Sequence, residues 1–487
     1  MRRALLVLVL ALAAGCGGVV EAPQSNLPFE YTRPDVGAPV TAAARATATA
    51  QLQEILREVP YLTYVAERAH GWPQGAPGGG YWYGTWWSGV QVERQGQAVT
   101  FRHSDDGADN NGLRTAPLLE AACYAQALDP SPAHEALLRT LVRGFSSWSR
   151  AMARTSAPDA PPLLARAAYP AAVGYTSTAG LAVEIAYDNN RPGEDNGATE
   201  YVRIPDNPDW GDLWVKNKRS KDDIGYMLRA MDALDVCRAS LGPEGQADVD
   251  EARARYAAWA AQVVQDGFTI ATYDKDLNVY VPNESLAIFI QLANAECDAM
   301  LALRLTGLGD EGGLECGDGI TEADGLAAAL NPGNRRIFVS FHEALARLMV
   351  ARGDPERARR ILTGLARRSD ETFAQMDAGE LAERFNPSDF AGELVNAANV
   401  GVPLTSREVA YLHQRLAEAH AALLDPSTAD ARRAFAVDGV DGTYPLNLAD
   451  AGFNFRELGV LLGLCASNRL NPASQPVLDC AALGAFP

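Results

Sequence analysis

The chain lacks the short motifs that would fix a familiar chemistry. There is no Gly-x-Ser-x-Gly elbow, no Gly-x-x-x-x-Gly-Lys-Ser/Thr phosphate loop and no His-Glu-x-x-His zinc helix, although His342-Glu343 supplies the first half of the last. Serine hydrolases, nucleotide hydrolases and zincins are thereby set aside. No cysteine sits in a Cys-x-x-Cys or Cys-x-x-Cys-His, which removes zinc ribbons, thioredoxin chemistry and c-type haem. Positive charge is scarce too, with 42 Lys and Arg against 61 Asp and Glu. Phosphate backbones are gripped by clustered cations, so nucleic acid is a poor partner for this field. The acidity serves solubility or attracts divalent cations. Beyond the first residues no apolar run is long enough to cross a bilayer, which takes roughly 20 residues. After Val99 almost no run of alternating β-branched residues is present to hold a central sheet.

What is present begins with an export signal. Arg2 and Arg3 precede an uninterrupted apolar run from Ala4 to Ala14 that closes on Ala13, Ala14 and Gly15. This is a charged n-region, an h-region and a cleavage site, too short for a retained membrane span. Ala13-Ala14-Gly15-Cys16 resembles a bacterial lipobox, with Ala13 where leucine is usual and Leu12 one step earlier. The resemblance implies that Cys16 becomes the lipidated first residue and that the chain is exported and anchored to the cell envelope, at the outer membrane. An ordinary secretory signal with an incidental cysteine is the alternative. Cleavage would leave 42 − 2 = 40 basic residues against 61 acidic ones, a formal charge of −21.

Apart from Cys16 there are six cysteines: Cys123, Cys237, Cys297, Cys316, Cys465 and Cys480. An even set in an oxidising compartment suits three disulfides. Connectivity does not follow from sequence. Cys465 and Cys480 flank a short terminal loop and Cys297 and Cys316 a Gly-rich one, leaving Cys123 with Cys237; six buried thiols are the other reading.

Residues 17–40 are rich in Gly, Pro, Asn and Gln and read as a flexible tether, followed by one helical domain over 41–487. Nearly half the residues are hydrophobic, ample for a large core. Ile224, Met227, Leu228, Met231, Leu234 and Cys237 fall on one face of a helix expected from Asp222 to Leu241. The same spacing recurs in Leu138, Leu141, Phe145 and Trp148, in Val409, Leu412, Leu416, Ala419 and Leu423, and in Leu458, Leu461, Leu462 and Cys465. Roughly eleven helical segments can be drawn, so the expected class is all-α. Arg352-Gly353-Asp354-Pro355-Glu356 resembles a tetratricopeptide turn, but it occurs once and no period of about 34 residues repeats it. A closed ring of helical hairpins, the α/α toroid, is therefore expected over an irregular tetratricopeptide-like solenoid.

Two long polar insertions interrupt the helices, at 71–111 and 157–221, and loops of that length are usually functional or disordered. The first carries Gly78-Gly79-Gly80-Tyr81-Trp82-Tyr83-Gly84-Thr85-Trp86-Trp87. Its rings Tyr81, Trp82, Trp86 and Trp87 could stack on sugar, or could pin the loop to the helices by burial. The same insertion ends in His103-Ser104-Asp105-Asp106-Gly107-Ala108-Asp109-Asn110-Asn111, whose Asp105 and Asp109 are candidate calcium ligands. The pattern is not an EF-hand, and Asp, Asn and Gly are also ordinary turn residues. No other cofactor is called for.

Polar residues gather where helices are expected to start: Asn110 and Asn111, Asp222 and Asp223, Asn283 and Glu284, Asn454 and Glu457, with His342 early in another. Each serves as a cap or first-turn anion, worth up to about 1 kcal/mol. A toroid would gather such starts around one funnel. In that respect the chain resembles the α/α-toroid glycoside hydrolases and polysaccharide lyases, a likeness of architecture and residue type. It implies paired carboxyls among Asp109, Asp222, Asp223 and Glu284, one protonating a leaving oxygen and one activating water. Alternatively His342 would act as a base beside a uronate whose carboxylate Arg335 or Lys221 neutralises. A lipoprotein that binds glycan or protein without catalysis, or serves as a scaffold, is the competing expectation.

Overall fold

Helix starts in this chain are set by side chains that satisfy the first free N–H groups. A computed structural model describes residues 37–62, 90–103, 111–170, 174–176, 182–187, 201–217, 224–266, 269–275, 278–285, 369–381, 387–399, 404–423, 440–445, 463, 465 and 477–484. Helix α1 (Ala42–Leu62) follows Thr41, whose hydroxyl oxygen accepts from the Ala44 N–H at 3.1 Å. α2 spans Asn111–Leu128, beginning at the asparagine expected to open it. α3 (Pro132–Arg150) has Ser131 as cap, accepting from the His134 N–H at 3.2 Å, with proline at its first position. α4 (Ile224–Cys237) runs into a 3-10 turn over Arg238–Ser240, and α5 covers Pro243–Gln265. Residues 369–378 are helical, followed by α6 (Pro387–Asn399) and α7 (Ser406–Leu423). α7 starts with a capping box. Thr405 Oγ1 accepts from the Glu408 N–H at 3.2 Å, and Glu408 returns an oxygen to the Thr405 N–H at 2.7 Å while accepting from Ser369 Oγ at 2.6 Å.

These helices stack in pairs. α2 packs on α3 and on α4, and α3 packs on α5, so α4 lies against the first and α5 against the second helix of the α2–α3 pair. α1 touches α2 and α3 and also packs along α7, far away in sequence. Thr49 Oγ1 accepts from the Asp479 N–H at 2.9 Å, and Gln53 donates to the Ala482 carbonyl at 3.0 Å. One continuous core results, with Leu52, Ile55, Leu138, Phe145, Trp148, Met227, Leu234, Tyr256, Leu394, Leu412 and Leu416 all buried in it. Of the expected stripes, Leu138, Leu141, Phe145 and Trp148 on α3, Met227, Met231, Leu234 and Cys237 on α4, and Leu412, Leu416 and Ala419 on α7 are buried, with Leu228 and Val409 half-buried; the stripe over 458–462 and the turn at 352–356 lie outside the described residues. Cys123–Cys237 joins α2 to α4, and Cys465–Cys480 closes the second bond. Cys297 and Cys316 lie outside the described residues.

The molecule is helix-rich but not all-α. Strands β1 (Val90–Gln95) and β2 (Ala98–His103) occupy the first expected loop insertion. The second holds β3 (Ala167–Pro170), β4 (Gly174–Thr176), β5 (Ala182–Tyr187), β6 (Tyr201–Asn207) and β7 (Gly211–Lys216). β8 (Thr269–Asp274) and β9 (Val279–Ser285) form a hairpin, and β10 is Gly442–Pro445. Among the described residues three sheets result, ordered β10-β1-β2-β5-β4, β3-β7-β6 and β8-β9, antiparallel except for the β2–β5 pair. The strands escape a search for β-branched runs because only every second residue faces inward. In β6 Val202 and Ile204 are buried beside exposed Arg203 and Pro205; in β7 Leu213 and Val215 are buried beside Asp212 and Trp214, which are not. Half of each strand thus reads as polar insertion.

Candidate functional site

The chain leaves α3 at Arg150 and is caught at once by the turn between β6 and β7. Asn207, 4% exposed, donates from Nδ2 to the carbonyls of Arg150, Ala151 and Ala153 at 2.8, 3.3 and 3.0 Å. Its Oδ1 accepts from the N–H groups of Asp209 and Trp210, both at 3.0 Å. Helix-end carbonyls that would otherwise lack partners are satisfied by one amide from another element. Just beyond, the Thr155 N–H donates to the Asp206 carbonyl at 3.0 Å and the Ser156 N–H to Asp206 Oδ2 at 2.7 Å. Ser156 holds the Asp206 carboxyl below its ordinary value, with a smaller contribution from the charge of Arg154.

Arg154 is presented from this corner onto the β8–β9 hairpin. Its guanidinium carbon lies 4.6 Å from the Tyr273 ring centre, and Tyr273 stands 5.6 Å from Tyr280 across the hairpin. Asn217, just after β7, fixes β8 by donating to the Tyr273 carbonyl at 2.5 Å and accepting from its N–H at 3.2 Å. The Tyr273 hydroxyl donates to Asn278 at 2.5 Å, and Asn278 adopts a left-handed φ of 52° in the turn. The hairpin separates two cores. Ile270 belongs to the helical core, whereas Ala271, Tyr273 and Tyr280 pack with Val202, Leu213 and Val215 in a second one.

The arginines around this corner differ in how their donors are used. Arg150 meets Asp209 at 2.8 and 2.6 Å, Arg203 meets Asp212 at 2.8 and 2.5 Å, and Arg238 meets Asp250 at 2.7 Å twice. Each is a two-point carboxylate clamp. For Arg154 the nearest carboxylate oxygen, Asp206 Oδ1, is 4.0 Å from Nε, beyond hydrogen bonding. Among the described residues its guanidinium is ion-paired with Asp206 at that distance and lies over the Tyr273 ring, with no hydrogen bond to either. The Tyr280 hydroxyl likewise has none; burial pushes this phenol up, and the nearby charge of Arg154 pulls it partly back.

No known protein family, curated protein or solved structure matches the chain. The assignment of a site therefore rests on geometry.

Of the residues expected from sequence to carry chemistry, Glu284 alone lies among the described ones, and its setting corrects the expectation. It sits in strand β9 opposite Ile270, not at a helix start. The alternation Val279-Tyr280-Val281 pairs with Asp274, Tyr273 and Thr272, and Asn283 is absorbed as the extra residue where the register shifts. Asp109, Asp222, Asp223 and His342, the platform Tyr81, Trp82, Trp86 and Trp87, the cations Lys221 and Arg335, the calcium candidate Asp105 and the lipidation site Cys16 all lie outside the described residues. Among the described residues no group of three or more His, Cys, Asp or Glu is placed to hold a metal ion, and no helix is long and apolar enough to cross a membrane.

A second polar cluster also went unread in the sequence. Glu120 of α2 and Arg229 of α4 form an ion pair at 3.0 Å with side chains 3% and 7% exposed, and the Tyr124 hydroxyl donates to Glu120 at 3.2 Å. The cluster is sealed inside the helical core beside the Cys123–Cys237 bond, where it joins the two helices and meets no solvent. Its signal was a single acid within Leu118-Leu119-Glu120-Ala121-Ala122 and a single cation within Met227-Leu228-Arg229-Ala230-Met231.

Proposed function

We propose that this is an exported, lipid-anchored protein that binds polysaccharide at the corner built by Arg154, Tyr273 and Tyr280. The observation that carries the reading is the make-up of that corner: a guanidinium ion-paired with Asp206 and a phenol, both without hydrogen bonds among the described residues, beside the paired rings of Tyr273 and Tyr280. Sugars ask for this combination, because their ring faces are apolar and their rims are lined with hydroxyls. The disulfides support an oxidising compartment, in keeping with a signal that ends at Cys16. The contact between α1 and α7, helices more than 340 residues apart in sequence, is the kind of long-range pairing that a ring of helical hairpins would make.

A second reading, cleavage of the bound polymer, draws on Glu284, which shares strand β9 with Tyr280. It would need a second carboxyl about 5 to 10 Å from the first.

Protein lacking residues 1–16 is incubated with acidic and neutral polysaccharides, with and without calcium, and both binding and new reducing ends are recorded. Binding without new ends is the expected result. Ends that vanish in Glu284→Gln would replace it with the enzymatic reading. Absence of any binding would leave protein docking or a scaffold as the better account. Chemical release from membranes of cells making the Cys16→Ala chain tests the anchor.

A further inference from the structure

Resting on the glycan-binding reading, we propose that the Arg154 corner takes neutral polysaccharide and turns acidic polymers away. Its charges are already matched within the chain. Arg154 faces Asp206, whose Oδ1 has no hydrogen bond of its own and stands 4.0 Å from Nε. The Ser156 N–H holds the other oxygen of that carboxylate at 2.7 Å, and together with the charge of Arg154 it keeps the group ionised at neutral pH. Cation and anion therefore cancel inside the corner. Two neighbouring arginines are matched in the same way, Arg150 by Asp209 and Arg203 by Asp212. A uronate or sulfate entering here would have to draw Arg154 off Asp206 and leave that carboxylate without its counter-charge, so what it gains from the cation it loses at the anion.

What the corner leaves for a ligand is uncharged. Tyr273 is 7% exposed and its ring is covered by Arg154 at 4.6 Å, whereas Tyr280, 5.6 Å away, is only half-buried. Burial raises the Tyr280 phenol, so it keeps its proton at neutral pH and offers one donor and an acceptor, with no hydrogen bond among the described residues. A sugar hydroxyl matches such a group without bringing charge, and the apolar face of a sugar ring matches the aromatic surface beside it. The chain as a whole acts in the same direction, since 42 basic against 61 acidic residues repel a polyanion. At physiological salt that repulsion is screened beyond about 8 Å, so the contacts at the corner decide.

The test is affinity electrophoresis of the protein lacking residues 1–16, at about 0.15 M salt, through gels holding dextran, galactomannan or polygalacturonate. A neutral polymer is expected to retard the wild type, and polygalacturonate to leave it unmoved. Tyr280→Phe should raise the Kd for the retarding polymer about three- to ten-fold, the worth of one hydrogen bond. Asp206→Asn keeps an oxygen for the Ser156 N–H but frees Arg154 of its counter-charge, so this variant should gain retardation by polygalacturonate. Thermal midpoints of both variants, compared with wild type, separate changed binding from lost folding. Retardation of the wild type by polygalacturonate as strong as by the neutral polymers overturns the inference and leaves the glycan-binding reading standing. A folded Asp206→Asn that gains nothing overturns it too, because the ion pair is then not what refuses the acid. Neutral binding unchanged in a folded Tyr280→Phe overturns the part given to that hydroxyl. Failure of every polymer to retard the wild type overturns both the inference and the reading beneath it.

Discussion

Asn207 closes the end of one helix with an amide that belongs to a strand. Because it donates to three carbonyls and accepts from two N–H groups while buried, Asn207→Ala should cost about 2 to 3 kcal/mol in urea unfolding. Asn207→Asp should do no better, since it sets a carboxylate against carbonyl oxygens. The Glu120–Arg229 pair makes a sharper case. Glu120→Gln removes the carboxylate from a buried ion pair, an expected loss of about 3 to 5 kcal/mol, whereas replacing both members with Leu and Met should recover most of it. Gly37 is a third residue whose identity is forced. Its φ is +69°, and a Cβ there would stand 2.6 Å from the backbone nitrogen of Arg407, so Gly37→Ala should destabilise the protein by at least about 1 kcal/mol. None of these roles was legible beforehand. Each depends on a partner tens to hundreds of positions away, and an asparagine, a glutamate or a glycine in a string of letters carries no mark of such a partner.

Elements were legible in proportion to how repetitive their burial is. α3, α4 and α7 bury the same face turn after turn, so Leu138, Leu141 and Phe145, or Leu412, Leu416 and Ala419, announce a helix on their own. Strands as short as three residues offer one or two inward positions, too few to establish a period. The β8–β9 hairpin is harder still, because it has a core on either side and its inward positions therefore fail to alternate cleanly. Two predictions belong here. Cys123–Cys237 spans 114 residues and Cys465–Cys480 spans 15, so loss of the first by paired serine substitution should lower stability more, by up to about 5 kcal/mol against about 3. On α7, burial lowers the affinity of His413 for a proton, with its Nε2 bonded to the Val477 carbonyl at 3.1 Å. The unfolded chain then takes up that proton first as pH falls below 6.5, so this contribution is whole above 6.5 and is lost on the way down. Stability measured between pH 7 and 5 should slope downward toward acid in the wild type, and less so in His413→Gln.

At the scale of the molecule, one helical core carries small sheets at its flank, and the site proposed above lies where the two meet. The helical core was foreseeable from composition and spacing; the junction was not, because it is made by residues 150–156, residues 206–210 and Tyr273 with Tyr280 converging from three separate stretches. Gly37 rests against the start of α7, and α1 lies along α7 while holding residues 479 and 482 through Thr49 and Gln53. Both ends of the described chain are therefore tied to the α1–α7 pair. Melting of α1 would release residues 479 and 482 along with it.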